Sequence, residues 1–198
     1  MAGSARAAIG FRVKSGWATA VLVAGPAKAP RVLDRRRVEL SDPAVPKSRQ
    51  PFHAGLHLAH SDPAPVTRLI RIVTRYARRS LARLVSEYRS AGHGLRGVGV
   101  VVGSEIDPAR IANPHIRAHA AEGALFRTVV LDAARRSGLR ASVVLERDVY
   151  ETAAHVLGRP QQQVRRAATE LGRGIIRPWS ADEKTATVAA WLVLRARR

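Results

Sequence analysis

Short apolar runs open the chain and longer helical ones close it. Residues 7–13 and 17–24 are apolar and are separated only by Lys14, Ser15 and Gly16. This predicts two strands of a β-hairpin turning at Ser15-Gly16. Residues 31–40, rich in Val and Leu and partly alternating, predict a third strand. Over 66–89 the period becomes helical. At 100° per residue, Leu69, Val73, Tyr76, Ala77, Ser80, Leu84 and Tyr88 share one face, while Arg68, Arg71, Arg75, Arg78, Arg79, Arg83 and Arg89 share the other. Gly92 and Gly94 end that helix, and 95–103, with Val98, Val100, Val101 and Val102, predicts a buried strand. Asn113-Pro114 is a cap and first-turn pair for a helix running to about Ser137 and closed by Gly138. A fifth strand is predicted over 139–146, with helices over 148–157 and 160–171. The terminal helix runs from Ala181 to about Arg195. Ser180 caps it, and Asp182 and Glu183 lie in its first turn, where carboxylates meet the helix dipole favourably.

Three strands that can pair antiparallel, followed by strands alternating with helices, predict an α/β fold with a mixed five-stranded sheet and helices on both faces. At 198 residues this is read as a single domain, 1–198. Its one irregular stretch is 41–65, where prolines 43, 46, 51, 63 and 65 and His53, His57 and His60 predict an insertion or long loop.

Charge changes the picture more than composition does. Lys and Arg number 34 against 15 Asp and Glu, a net charge of +19, which favours polyanionic partners. The absence of cysteine excludes disulfides and thiolate zinc sites and makes a cytoplasmic location the default, with association to the nucleoid compatible. No run approaches the roughly 18 apolar residues of a membrane span. Arg68, Arg71, Arg75, Arg78, Arg79 and Arg83 are the first candidate phosphate contacts, because only Glu87 balances them within the helix. Arg165 and Arg166, after Pro160 and three glutamines, are a second, and Arg117 a third. With Tyr76 and Tyr88 on the core side there is little aromatic interleaving, so backbone contact with duplex or structured nucleic acid is expected over base stacking.

The element order is that of the ribonuclease H-like three-layer fold, and the layout resembles the RuvC-type Holliday junction resolvases over nearly the whole chain. Ile9-Gly10-Phe11-Arg12 resembles that family's first-strand Ile-Gly-Ile-Asp, and Gly16-Trp17-Ala18 its returning strand. Gly99 to Gly103, then Asn113 and Ala121-Glu122-Gly123, resemble its fourth strand and the following helix. Ala181-Asp182-Glu183-Lys184-Thr185 falls on its terminal carboxylate motif. The resemblance implies carboxylates from strand one, strand four and the last helix holding two Mg²⁺ ions about 4 Å apart. It also implies a homodimer.

The residues depart from that pattern. The first-strand aspartate position is Arg12, and a guanidinium offers no lone pair to a metal. Glu105 is the only carboxylate near the fourth-strand position, and Thr185 replaces the second carboxylate of the last helix. Arg12 and Lys14 are therefore expected to form ion pairs with Asp182 and Glu183, giving nucleic-acid binding on a resolvase-like scaffold without the two-metal site and without a cofactor. The enzyme alternative is a Mg²⁺- or Mn²⁺-dependent nuclease with Glu105, Glu122, Asp182 and Glu183 as rearranged ligands. A third reading is a basic scaffold that binds an acidic protein.

His115, His119 and Glu122, at i, i+4 and i+7, share a helix face of the kind metal sites use. A solvated or phosphate-facing surface is the favoured reading of that face. His115, His119 and Asp182 are thus only secondary metal candidates, and His53, His57 and His60 another weak cluster.

Overall fold

The computed structural model describes residues 6–56, 63–175 and 179–196, so His57 and His60 lie outside the described residues. Strands β1 (Arg6–Lys14), β2 (Trp17–Ala24) and β3 (Arg31–Glu39) form an antiparallel meander. The β1–β2 turn falls at Gly16, whose φ of 85° is cheap only for glycine. The predicted loop then contains a 3₁₀ turn (Pro46–Arg49) and a short helix α1 (Pro51–Gly55), each with proline in its first turn, where no backbone N–H is needed. Proline, read as a breaker, is here a helix starter. Next come α2 (Ala64–Ser90), β4 (Gly94–Val102), a 3₁₀ turn (Pro108–Arg110) and α3 (Pro114–Arg136). Then follow β5 (Ala141–Leu145), α4 (Val149–Leu157), α5 (Gln161–Glu170) and α6 (Ala181–Arg195).

The sheet order is β3-β2-β1-β4-β5, with β1–β4 and β4–β5 parallel. One face carries α2 and α3. Ile9, Phe11 and Val13 of β1 pack there with Val73, Ala77, Leu81, Leu84, Val85, Phe126 and Val130. Leu81 and Val85 thus join the predicted apolar stripe of α2, while Leu69, Tyr76 and Ser80 are only half-buried. The other face carries α6 flanked by α4 and α5. Among the described residues no helix is long and apolar enough to cross a membrane.

Close approach sets the position of α6. A Cβ on Gly10 would stand 1.7 Å from the carbonyl oxygen of Ala186, and one on Gly99 2.3 Å from that of Ala189. Two bare glycines in the sheet, facing Ala186, Ala189 and Ala190 of the helix, therefore let backbone lie on backbone. Along β1 the residues facing α6 are spaced by two, and four residues of helix advance about as far, roughly 6 Å. Ala186 and Ala190 meet Gly10, and one turn earlier Asp182 arrives above Arg12.

Candidate functional site

β1, β4 and β5 run parallel, and their carboxyl ends meet the first turn of α6, the edge where open α/β sheets place their sites. Arg12 points toward α6 and is buried, at 6% exposure. Its Nη1 donates to the Val13 carbonyl at 2.8 Å, its Nη2 donates to Glu146 Oε2 in a short contact, and its Nε lies 3.8 Å from Asp182 Oδ1. Lys14 Nζ is 3.0 Å from the same Asp182 oxygen. Two cations and two carboxylates thus form one chain: Lys14, Asp182, Arg12, Glu146.

Glu183 is engaged differently from its neighbour. Ser180 caps α6, accepting from the Asp182 backbone N–H at 3.2 Å, while Glu183 Oε2 accepts from the Ser180 backbone N–H at 2.8 Å and from its hydroxyl. This reciprocal capping box satisfies the first orphan donors of the helix. The remaining oxygen of Glu183 accepts from Arg35 Nε of β3 at 3.2 Å. Burial alone would push the Glu183 carboxyl up. The Ser180 hydrogen bonds, one from its own backbone and the Arg35 charge outweigh burial and hold it below its ordinary value of 4.5. Sequence reasoning paired Glu183 with Arg12 and Lys14; here its cation is Arg35.

The other carboxylates expected in a rearranged site lie elsewhere. Glu105 is exposed in the loop after β4, with Arg127 of α3 at 3.5 Å. Glu122 is fully buried in α3 and accepts from His53 Nδ1 at 2.8 Å. Their partners are thus Arg127 and His53, and neither carboxylate joins Asp182 and Glu183 at the head of α6. Sequence reasoning missed Glu146 and Arg35. Glu146 ends a predicted parallel strand beside β4, so the carboxyl-edge rule was a signal for it. Arg35 is one of three consecutive arginines on β3, and the strand pattern alone does not say which of them reaches α6. Thr185, in the first turn and a half of α6, turns its hydroxyl back to the carbonyls of Ala181 and Asp182.

The arginine face of α2 divides. Arg78 bonds Asp132 of α3 at 2.9 Å and Arg83 bonds Glu87 at 2.8 Å, while Glu87 also takes Arg36 of β3. One carboxylate from another element, Asp132, therefore joins Glu87 in neutralising this face, while Arg36 draws on Glu87 from β3. Arg68, Arg71, Arg75 and Arg79 remain exposed, with no carboxylate partner among the described residues. Arg165 stacks over the ring of Tyr150 at 3.9 Å, and Arg166 and Arg117 are exposed.

No family model matches the sequence, and no curated protein matches it at a significant level. Solved structures do. The chain is similar to the Thermus thermophilus RuvC structure, with a TM-score of 0.55 and 14% identity over 94% of this chain and 92% of that one. It is also similar to T. thermophilus RuvC in complex with a Holliday junction substrate, with a TM-score of 0.59 and 13% identity over 94% and 91%. The chain has the RuvC-type ribonuclease H-like fold.

Proposed function

We propose that this protein binds nucleic acid through phosphate contacts on a RuvC-type scaffold whose two-metal site has been replaced by ion pairs. The observation that carries this reading is the Lys14–Asp182–Arg12–Glu146 chain at the carboxyl edge of the sheet. Two Mg²⁺ ions need a cluster of carboxylates free to ligate. Asp182 and Glu146 here hold fixed cations, Glu183 is committed to its capping box and to Arg35, and Arg12 has no lone pair to offer. The donor set does not fit the ions, and no hydrolytic step is assigned to it.

Binding is supported by the net charge of +19 and by Arg68, Arg71, Arg75 and Arg79 of α2, exposed at about one-turn spacing and so able to follow a phosphate backbone. The similar T. thermophilus RuvC structure with a Holliday junction substrate makes branched duplex DNA the first ligand to try.

The test is fluorescence anisotropy with branched DNA, linear duplex DNA and structured RNA across a salt series, alongside cleavage assays in Mg²⁺ and Mn²⁺. The expected result is salt-dependent binding without cleavage. Each phosphate that a protein neutralises on duplex DNA contributes about 0.9 to the slope of log affinity against log salt. Changing Arg68, Arg71, Arg75 and Arg79 together to Gln should therefore flatten that slope by about 3–4. Metal-dependent cleavage abolished by Asp182→Ala would establish the nuclease instead. No binding at low salt would leave an acidic protein as the partner.

A further inference from the structure

On the sheet face opposite α6, the proline- and histidine-rich segment meets α3. His53 of α1 comes up against His115 and His119, with ring centroids 4.9 and 4.2 Å away, and the latter two are 4.6 Å apart. One ring nitrogen from each of the three lies within 4.8 Å of the others. Two groups that looked like separate weak motifs in the sequence are one cluster in space.

We propose that His53, His115 and His119 bind a divalent transition metal, zinc being the best match, and that Glu122 orients His53 for it. The Nε2 atoms of His115 and His119 stand 3.2 Å apart. Two nitrogens about 2.0–2.1 Å from a tetrahedral ion are separated by about 3.3 Å. His53 Nδ1 donates to the buried Glu122 Oε1 at 2.8 Å, which leaves the lone pair on Nε2. That Nε2 is buried and has no hydrogen-bond partner, and neither has Glu122 Oε2.

A fully buried carboxylate without a full positive charge beside it is costly. A divalent cation on Nε2 would take the lone pair that has no partner and supply positive charge toward Glu122 through the imidazole. Carboxylate, imidazole and metal in line is the arrangement that fixes a ligating histidine's tautomer and raises its basicity. An all-imidazole set suits zinc, copper or nickel and is a poor match for Mg²⁺ or Ca²⁺. Three protein nitrogens leave a fourth tetrahedral position, on the side where His115 and His119 are exposed, for water. Such an ion would pin α1 to α3.

The experiment uses the full chain stripped with chelator, titrated with Zn²⁺ by calorimetry, checked by elemental analysis, and repeated with Co²⁺ to read its visible spectrum. One ion per chain, a tetrahedral Co²⁺ spectrum and a raised melting temperature are expected. His115→Ala and His119→Gln alter exposed side chains and should each weaken binding by more than about 100-fold, beyond the range seen for groups behind a ligand. Glu122→Gln, which is such a group, should weaken it by about 10–100-fold. His155→Ala, on the exposed side of α4, should change nothing. Because Glu122→Gln alters a buried group and can fail to fold, the two exposed variants decide the matter. Absence of stoichiometric Zn²⁺ binding, or binding that survives His115→Ala and His119→Gln, overturns the proposal. No nucleic acid enters the assay, so its outcome is independent of the binding function proposed above.

Discussion

The two sides of the ion-pair chain are unequally wet, and this gives an asymmetric stability prediction. Arg12 is 6% exposed, whereas the side chains of Asp182 and Glu146 are 22% and 39% exposed. In the double variant Asp182→Ala/Glu146→Ala, Arg12 keeps its bond to the Val13 carbonyl but is left without both counter-ions where water does not reach. Leaving a buried charge uncompensated costs about 3–5 kcal/mol. Removal of the Lys14–Asp182 pair adds about 0–1 kcal/mol, because Lys14 turns to solvent. Arg12→Met keeps the hydrocarbon and removes the charge, and the two carboxylates then turn to water they already touch, at a cost of about 1 kcal/mol. A chain of this size loses about 2–4 °C of melting temperature per kcal/mol. The double variant should therefore melt about 6–24 °C low and Arg12→Met less than about 4 °C low. Adding Arg12→Met to the double variant should restore most of the loss, a coupling that a double-mutant cycle measures directly. Urea and thermal denaturation followed by circular dichroism read all four proteins. If Arg12→Met is as damaging as the double variant, or the triple variant is no better than the double, the guanidinium is not a buried charge held by those acids.

Gly10→Ala drives a methyl into the Ala186 carbonyl, backbone against backbone. It should cost about 3 kcal/mol, the upper part of the usual overpacking range. Gly123→Ala, in the open face of α3 where an added Cβ meets nothing within 4 Å, should instead stabilise by about 0.5–1 kcal/mol in the same denaturant melts. Glu183 titrates below its ordinary value in the folded chain, so its ionised form contributes stability above pH 4.5 that is lost as pH falls through the lower folded value. Glu183→Gln keeps the capping box but not the charge. Its deficit should be present at about pH 7 and shrink toward zero in melts below about pH 4; a deficit unchanged by acid would place the effect in packing.

The sheet and its helices were legible because strands of period two and helices of period 3.6 are separated by glycine and proline at their ends. The cation at Arg12 was equally legible, since a guanidinium at one strand position offers no lone pair to a metal. Partners contributed by distant elements were not. Arg35 and Glu183 are 148 residues apart, and Arg12 and Glu146 are 134 apart, so only the strand order β3-β2-β1-β4-β5 brings each pair together. The helix α1 was hidden in a proline-rich segment, and with it went the meeting of His53 with His115 and His119. That contact depends on how a short irregular segment folds back, which no periodicity encodes.

The glycine contacts beneath α6 separate two things that proteins usually change together. Backbone-on-backbone seating at Gly10 and Gly99 holds the helix from the middle of the sheet, so the placement of its head owes little to the side chains that meet there. Residues at that edge are free to change sign, carboxylate for guanidinium, without moving the frame that presents them. A scaffold of this kind can keep the shape of a site through a complete exchange of its chemistry.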